Sequence, residues 1–600
     1  MGKNKRQKKN APPETAAPQV PLRGKWRRIV RAACVALVFA GIATWYFTHA
    51  SGLNTSHPTF AQDIAPVVHK QCAVCHHAGG SAPFALIAYA DVAKHAAQIA
   101  GLTQRRIMPP WMPEHGYNEF EGERRLSGDE ILMLKNWAAQ GAAEGDPKRA
   151  PAPPKFDSEW QLGTPDLVVQ MPHVYTLPKE GRDLYRNFAF PIPNTQDRFV
   201  KGIEFRAGTT RIHHAFIFID HTHGSRRLDG KESEPGWPGM NAPSPTAETP
   251  SSQFTSWQPG RIPRMHEDMA WRLPVGTDLV LQLHMQPSGK PEPIQPSIAF
   301  YFTDRPGTVH PMIVLLRRVD IDIPAGEKAY SVRAQYTLPV DVDVLGLLPH
   351  LHYLGKDVKA FATLPDGSRT RLLWIKDWNF NWQSDYTCKR PVFVPKGSRL
   401  EMEYTFDNSK DNPLNPSDPP KRVQYGPNST DEMAELWVQL VPHSAGDAAI
   451  LQQDRARADM EDLFALNTVR LRQNPADSHA HLQLGKALIQ KGQMNEAEEH
   501  LRAAVRFGEN DSETHYFLAY YLNDHLDDPK LRAECLREFQ RAVQLDPENF
   551  EALNGLGRTL LQLGDPRDAA RVLAEALRLH PDDRIIKENL ELARKALGKQ

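Results

Sequence analysis

The stretch Pro349-His-Leu-His-Tyr-Leu-Gly-Lys356 decides how the middle of this 600-residue chain is interpreted. In an extended segment, side chains two residues apart point to the same face, so His350 and His352 present two imidazoles side by side. Two neighbouring imidazoles are half of a transition-metal site. Further metal-ligand candidates stand in or beside strand-like alternating runs elsewhere in the chain: His213, His214, His284 and Met433.

The adjacent pair His213-His214 carries a geometric condition. Neighbouring residues of a regular strand face opposite ways. These two histidines can therefore share one metal ion only at a strand end or at a β-bulge.

Four motifs in this order resemble the copper type II, ascorbate-dependent monooxygenases, a family that includes peptidylglycine α-hydroxylating monooxygenase and dopamine β-monooxygenase. The motifs are HHAFIF (213–218), LQLHMQ (281–286), PHLHYLGK (349–356) and DEMAELW (431–437). The resemblance covers roughly residues 156–445.

The resemblance implies two antiparallel, jelly-roll-like β-sandwiches, which we assign to residues 156–320 and 321–445. Each would carry one copper ion, and the two would face each other across a cleft. An electron-transfer copper would be held by His213, His214 and His284. The O2-binding copper would be held by the catalytic residues His350, His352 and Met433. Imidazole accepts both copper oxidation states, and a thioether favours Cu(I).

The resemblance also bears on the substrate. In the peptidylglycine enzymes an arginine, an asparagine and a tyrosine bind the carboxylate of the peptide, at positions that correspond here to Leu348, Glu435 and Trp437. An apolar side chain cannot form the bidentate pair that a carboxylate prefers. We therefore expect an aromatic or hydrophobic substrate, or an amine held by Glu435, and not a glycine-extended peptide. The alternative is that these three residues only pack and the substrate binds elsewhere.

Composition sets further bounds. The chain has 72 basic and 72 acidic residues, so its net charge of zero gives no indication of a nucleic-acid partner. Five cysteines, of which only two are close together, argue against a disulfide scaffold. The predicted sandwiches contain only Cys388 and must be held by core packing.

The N-terminus predicts export. Residues 1–31 hold ten Lys or Arg and form a basic cytoplasmic tail, and residues 32–50 form an apolar transmembrane signal anchor. Cleavage after Ala50 is the alternative. In either case the remaining chain would be exported to the periplasm. With the anchor retained, we expect a single-pass protein of a bacterial inner membrane.

Residues 56–146 are predicted to form an all-α domain of cytochrome c type. Cys72, Cys75 and His76 make the C-x-x-C-H motif that attaches haem c, with His76 as the proximal iron ligand. Met108, in a Met-Pro loop, is the first choice for the second axial ligand. The rival ligands are Met112, His95 and His115. A Pro-rich linker, residues 147–155, follows the domain.

The last part of the chain has a helical period. After a connecting helix at 446–473, residues 474–600 show self-similar segments that predict an α-helical solenoid of tetratricopeptide repeats. Gly485 and Gly557 are 72 residues apart, which is two periods and an insertion. Such arrays bind protein partners in a concave groove.

Together these parts predict a periplasmic copper monooxygenase that hydroxylates a C–H bond of a small organic substrate with O2. Two copper ions and one covalent haem c are the expected cofactors. The fused haem would pass electrons from a respiratory donor, in place of or beside ascorbate. Two alternatives are a redox-relay or copper-handling protein without O2 activation, and an assembly scaffold built on the repeats.

Overall fold

The computed structural model describes residues 53–598, apart from residues 79, 81, 157–159, 182, 231–232, 240–243, 245, 526 and 582. The predicted tail (1–31) and anchor (32–50) lie outside the described residues. Among the helices that the structure describes, none is both long and apolar enough to cross a bilayer. The chain divides into two compact units. The first ends at Pro109 and resumes over Arg124–Lys155, and the second comprises Pro110–Glu123 and everything from Phe156 onward.

The first unit is helical. A π-helical turn, Phe60–Ile64, leads into its helices, which are α1 (Ala65–Gln71), α2 (Tyr89–Lys94), α3 (Ala96–Gln104) and α4 (Gly128–Ala139). Helix α4 begins with a capping box, because Ser127 accepts from the Glu130 backbone N–H and the Glu130 carboxylate accepts from that of Ser127. Trp137 of α4 is fully buried in the core of this unit.

The boundary of the predicted cytochrome domain needs a correction. Residues 110–123 lie inside the predicted range 56–146 but belong to the second unit. Phe120 is buried in the core of the second sandwich, and Pro113 bridges to Ile375. The physical reason is that this segment carries apolar side chains that complete a β-sheet core, which a sequence assignment by motif order does not detect.

The second unit begins with a β-sandwich. Its strands are β1 (Leu167–Gln170), β2 (Tyr175–Leu177), β3 (Leu184–Pro191), β4 (Arg198–Arg206), β5 (Ile212–Asp220), β6 (Trp237–Pro238), β7 (Ser256–Trp257), β8 (Trp271–Leu273), β9 (Asp278–Met285), β10 (Glu292–Ile294) and β11 (Ser297–Thr303). A short helix, α5 (Gly224–Asp229), follows β5. The sheets have the orders β1-β11-β4-β8 and β6-β3-β9-β5-β7, with β10 and β2 as a separate pair.

A second sandwich follows. Its strands are β12 (Met312–Arg318), β13 (Asp322–Ile323), β14 (Tyr330–Thr337), β15 (Val342–His350), β16 (Gly355–Thr363), β17 (Arg369–Ile375), β18 (Tyr386–Val394), β19 (Arg399–Phe406), β20 (Val423–Gln424) and β21 (Ala434–Pro442). Its main sheets have the orders β12-β21-β15-β18 and β14-β19-β16-β17. Strand β12 pairs with the distant β21 and thus belongs to the second sandwich. The predicted division at residue 320 is therefore too late in the sequence, because the observed division lies before Met312.

Both sandwiches have the strand order of a jelly roll. If β2, β6, β10, β13 and β20 are set aside, each sandwich has eight strands. One sheet then has the order first, eighth, third, sixth, and the other second, seventh, fourth, fifth. Each sandwich has one core to which both of its main sheets contribute. The prediction of antiparallel β-sheets in this part of the chain is therefore confirmed.

Helices complete the unit. They are α6 (Ala445–Gln473), α7 (Ser478–Gln490), α8 (Met494–Phe507), α9 (Ser512–Leu522), α10 (Pro529–Leu545), α11 (Phe550–Gln562), α12 (Pro566–Leu579) and α13 (Arg584–Leu597). At Gly485 and Gly557 the neighbouring helix is so close that a Cβ would meet a leucine side chain at 2.7 and 2.5 Å. These are the small-residue positions by which the sequence predicts helical repeats.

Candidate metal centres and the adjoining cavity

The first histidine cluster forms on two neighbouring strands, β5 and β9. His214 pairs with His284 across the sheet, whereas Ile212 pairs with Met285, so His213 is an extra residue in the register. This is the β-bulge that the sequence requires if His213 and His214 are to share a metal ion. The ligand atoms of the three histidines lie within 4.8 Å of one another.

Three Nδ1 atoms converge in this cluster. His214 Nδ1 lies 3.2 Å from His213 Nδ1 and 3.4 Å from His284 Nδ1. Metal–imidazole bonds of about 2.0 Å at trigonal or tetrahedral angles require nitrogen separations of about 3.3–3.5 Å. The spacing of the nitrogen atoms therefore fits one metal ion held by three imidazoles.

The protonation state of this cluster suits the binding of a metal cation. Burial lowers the pKa of His213 to about 4, with a further contribution from His284. Burial also holds the pKa of His214 well below its usual value. Near neutral pH both imidazoles are uncharged, which is the form that binds metal ions.

A carboxylate lies behind the cluster. His284 Nε2 is 3.2 Å from Asp183 Oδ2, and the His284 ring stacks on Tyr185 at 4.2 Å between centroids. Burial acts to raise the pKa of Asp183, but hydrogen bonds from His284 and Ser429 lower it overall. A carboxylate on the far ring nitrogen orients a ligating histidine and increases its basicity.

The second cluster lies at the end of β15 and the start of β21. His350 Nδ1 donates to Gln383 Oε1 at 2.7 Å, and His352 Nδ1 donates to the Asp431 carbonyl oxygen at 3.1 Å. Both Nδ1 atoms are thus engaged, which leaves Nε2 of each ring for a metal ion. His352 Nε2 is buried and has no hydrogen-bond partner in the described part of the chain.

A buried glutamate is hydrogen-bonded to the backbone of two candidate ligands of this cluster. Glu432 Oε2 accepts the backbone N–H groups of His352 (2.9 Å) and Met433 (3.2 Å), and Oε1 accepts that of Leu354 (2.6 Å). Burial raises the pKa of Glu432 to about 8 although these donors act against the shift. The carboxyl group fixes His352 and Met433 relative to each other across 80 residues of sequence.

One short turn contacts both clusters. Phe380 stacks on His213 at 4.7 Å and meets His352 edge-on at 5.5 Å, measured between ring centroids. Three residues on, Gln383 accepts from His350. The turn itself is held by Met112, whose Sδ accepts the Asn379 backbone N–H at 3.2 Å.

A cavity of about 630 Å³ adjoins the two clusters. His214, His350 and Met433 line it, so it connects members of both clusters. The three predicted substrate residues, Leu348, Glu435 and Trp437, also line it. A volume of this size suits a drug-sized organic molecule.

Glu435 has neighbours that the sequence does not reveal. Trp437 Nε1 lies 3.3 Å from Glu435 Oε2, and Arg317 is the register partner of Glu435 on β12. Arg317 lines the same cavity, and its Nε lies 3.9 Å from Asp462. The cavity therefore holds ionic groups of both signs beside a large apolar surface.

The C-x-x-C-H motif follows α1 as a tight turn. The backbone N–H groups of Cys75 and His76 both donate to the Cys72 carbonyl oxygen. His76 Nδ1 donates to the Phe84 carbonyl oxygen at 3.0 Å, which leaves Nε2 for an axial bond. Burial raises the pKa of Cys72 to about 12, with a contribution from Cys75, so Cys72 is a protonated thiol. These residues fit covalent haem attachment.

The four axial-ligand candidates fall in different units. Met108 and His95 lie in the same unit as His76, and the His95 ring stacks on Phe84 at 4.0 Å. Met112 and His115 lie in the second unit, where Met112 accepts from Asn379 and His115 pairs with Glu123 at 3.3 Å. Met108 as the second ligand stays a prediction.

Sequence reasoning missed the residues that support the ligands: Asp183, Phe380, Gln383 and Glu432. Three of them lie in loops far from the motifs in sequence, and their pairing depends on the folded register. The sequence around Glu432 did offer a clue. An acidic residue next to the candidate ligand Met433, at the start of an apolar strand, predicts a buried carboxyl group that is hydrogen-bonded.

Comparisons with known proteins identify only the helical region. Residues 452–512 and 533–588 match the tetratricopeptide repeat family. The C-terminal region therefore carries tetratricopeptide repeats, which commonly mediate protein–protein interaction. No curated protein matches the chain.

The chain is also similar to solved structures. A crystal structure of MamA protein is 22% identical, covers 24% of this chain and 78% of its own, and has a TM-score of 0.22. A second MamA crystal structure is 21% identical over 26% and 85%, also with a TM-score of 0.22. The Arabidopsis OM64 TPR domain is 19% identical over 20% and 94%, with a TM-score of 0.19.

Proposed function

We propose that this protein is a copper-dependent monooxygenase that hydroxylates a C–H bond of a small organic substrate with O2. The observation that carries the proposal is that a cluster of three histidines with metal-ligand spacing and a second pair of histidines have members that line one organic-sized cavity. Copper bound there would supply O2 activation and one-electron chemistry, in which substrate C–H, O2, two electrons and two protons give C–OH and water.

The ligand residues have separate tasks. His213, His214 and His284 present three imidazoles through Nδ1 and would hold the electron-transfer copper. His350 and His352 are oriented through Nδ1 and would hold the O2-site copper through Nε2, together with Met433. The thioether favours the reduced metal.

The cavity residues would bind the substrate. Trp437 and Leu348 offer an apolar surface, and Glu435, with one oxygen bonded to Trp437, retains a carboxylate oxygen for a cationic amine. The positive charge of Arg317 reduces the negative potential of the cavity around Glu435. A cationic amine is therefore held there by direct contact with the Glu435 carboxylate. We propose an aromatic or alkyl amine as the substrate class.

Electrons would come from a respiratory one-electron donor through haem c, or from ascorbate. Cys72 and Cys75 would attach the haem, and His76 would be its proximal ligand. The basic tail and apolar run at the N-terminus support a single-pass protein of a bacterial inner membrane with its bulk in the periplasm.

The test uses full-length protein loaded with copper and assayed with phenethylamines, neutral alkyl aromatics and glycine-extended peptides. We expect two copper ions, one haem and hydroxylated product equal to the O2 consumed. Alanine at His284 should remove one copper ion. A reduced protein that is stable to O2 with every substrate would contradict the proposal and favour a redox relay.

A second candidate function is a protein-interaction scaffold, which the match of residues 452–512 and 533–588 to tetratricopeptide repeats favours. Partner capture that persists in full after His213, His284 and His352 are replaced, in a protein without O2 uptake, would favour this function over catalysis.

A further inference from the structure

The helical region supplies one side of the cavity. Residues of α6 that line it follow the spacing i, i+3, i+4, i+7, from Leu463 to Arg470. Helix α7 contributes a second face that includes Gln483. Such spacing puts the side chains on one face of each helix. These two faces form the helical wall, which lines the same cavity as His350, Met433 and Glu435.

The helical wall is fixed to the second sandwich. Leu451, near the start of α6, is buried in the sandwich core. Arg455, also buried, donates to the Leu315 carbonyl oxygen at 3.3 Å. At the other end of α6, Gln473 Nε2 donates to the Tyr425 carbonyl oxygen at 3.0 Å. The helix is thus anchored at both ends and along its length, and it belongs to the cavity's permanent structure.

The basic groups of the helical wall each have an acidic partner outside it. Arg470 lies 2.8 Å from Asp477, and Lys486 lies 3.0 Å from Glu513. The two charges of such an ion pair largely neutralise each other, so the pair attracts a charged ligand only weakly.

The uncharged polar groups are different. The Gln483 side chain makes no hydrogen bond in the described part of the chain and lines the cavity. Asn467 donates through Nδ2 to the Leu463 carbonyl oxygen at 2.8 Å, which leaves its Oδ1 as an acceptor.

From this arrangement we infer that the helical wall is a substrate-binding surface. It receives the end of the substrate farthest from Glu435, and that end is an uncharged hydrogen-bonding group, such as an amide or hydroxyl. Asn467 and Gln483 would bind it. The inference rests on the proposed function, because it takes the amine end of the substrate to lie at Glu435. The first repeat thereby acts in specificity and not only as a site for protein partners.

The test measures binding and not turnover, so it is independent of copper chemistry. Copper-free, full-length protein is titrated calorimetrically with three probes: octylamine, N-acetyl-1,8-diaminooctane and 8-aminooctanoate. The three share an amine and a chain, and differ in whether the far end is apolar, an amide or a carboxylate. We expect the acetamide probe to bind about three- to tenfold more tightly than the other two, as for one or two net hydrogen bonds.

Gln483→Leu and Asn467→Leu should each remove this preference and leave the affinity for octylamine within about twofold. Gln490→Leu is the matched control, because Gln490 is exposed on the same helix and does not line the cavity. Thermal unfolding of each variant verifies that it is folded. Equal affinities for the three probes, no binding of any, or equal effects of Gln483→Leu and Gln490→Leu would overturn the inference.

Failure of the proposed function has a different signature. If the preference for the acetamide probe is found but Glu435→Gln does not weaken any of the three amines, the amine site is wrong and the helical wall binds in another orientation. If binding is as expected but the copper-loaded protein does not consume O2, only the monooxygenase chemistry fails.

Discussion

The ring of Phe380 stacks on the imidazole of His213, with 4.7 Å between centroids and 21° between planes. The same ring meets His352 of the other cluster at 5.5 Å. Phe380 is 1% exposed, so both contacts are made in a buried, dry environment. One residue therefore supports a ligand of each proposed copper site.

Phe380→Ala should weaken copper binding at both clusters. The substitution removes the ring that restricts both imidazoles, and it should lower the free energy of unfolding by about 3–5 kcal/mol. Copper titrations followed by paramagnetic resonance would measure both sites. Phe406→Ala is the matched control, because Phe406 is equally buried in the same sandwich. It should cost similar stability and leave both copper affinities unchanged, and a similar loss of copper there would contradict the role of Phe380.

Glu432→Gln should disrupt the second cluster selectively. Above its pKa of about 8, Glu432 is a carboxylate whose two oxygens both accept backbone N–H groups, whereas a glutamine presents one acceptor and one NH2 group that faces a donor. An unsatisfied buried donor costs about 1–3 kcal/mol. We expect copper to be lost first from the His350 cluster, as measured by the number of copper ions retained during dialysis. Retention of two ions with unchanged stability would refute this role.

Met433→Ile should retain most of the bound copper and abolish turnover. Two imidazoles remain as ligands, but the soft thioether that favours the reduced metal is gone. Copper content and hydroxylation rate are measured on the same sample, with Met402→Ile as the control, because Met402 is a buried core residue away from the ligands. Equal turnover in Met433→Ile and the unchanged protein would exclude the proposed mechanism.

Cys75→Ser should prevent covalent haem retention at the C-x-x-C-H turn, which denaturing gels stained for haem would show. Met108→Ala should keep the covalent haem and lower its reduction potential, because a thioether axial ligand raises the potential. Met112→Ala is the control and should leave the potential unchanged, since the Met112 sulfur accepts from Asn379. The reverse result would make Met112 the ligand.

The repeat region should lose stability as pH rises. Burial acts to lower the pKa of His515, but the hydrogen bond with Glu538 at 2.5 Å raises it overall. The stabilisation is therefore complete below the unfolded pKa of about 6.5 and is lost as pH rises through the higher folded pKa. Urea midpoints of the helical circular dichroism transition should show that Glu538→Gln costs more at pH 6 than at pH 9. A cost independent of pH would show that the pair is uncharged.

The clustering of His213, His214 and His284 could be predicted because each stands in a short motif with a local geometric meaning. The bulge at His213 follows from the alternation rule once His213 and His214 share a metal ion. The groups that hold the ligands could not be predicted in this way. Gln383 and Glu432 meet His350 and His352 only through pairing of distant segments, and no local periodicity encodes that pairing.

The division between the sandwiches and the role of the first repeat show the same limit. Strand β12 lies before the predicted division at residue 320, but its partner β21 begins more than a hundred residues later. The small-residue pattern around Gly485 predicts helix packing correctly. It does not reveal that one face of α7 lines a cavity with Met433 and Trp437.

The position of residues 110–123 limits which fragments of this protein can be expressed separately or exchanged with those of another protein. The chain crosses between the two units at three places, after Pro109, Glu123 and Lys155, where a tandem arrangement needs only one crossing. A truncation that starts after Lys155 would remove Phe120 from a sandwich core, and a cytochrome exchanged as a cassette would take that fragment with it. The two units therefore alternate along the sequence. Any version of the protein expressed as separate fragments must keep residues 110–123 with the β-sandwiches.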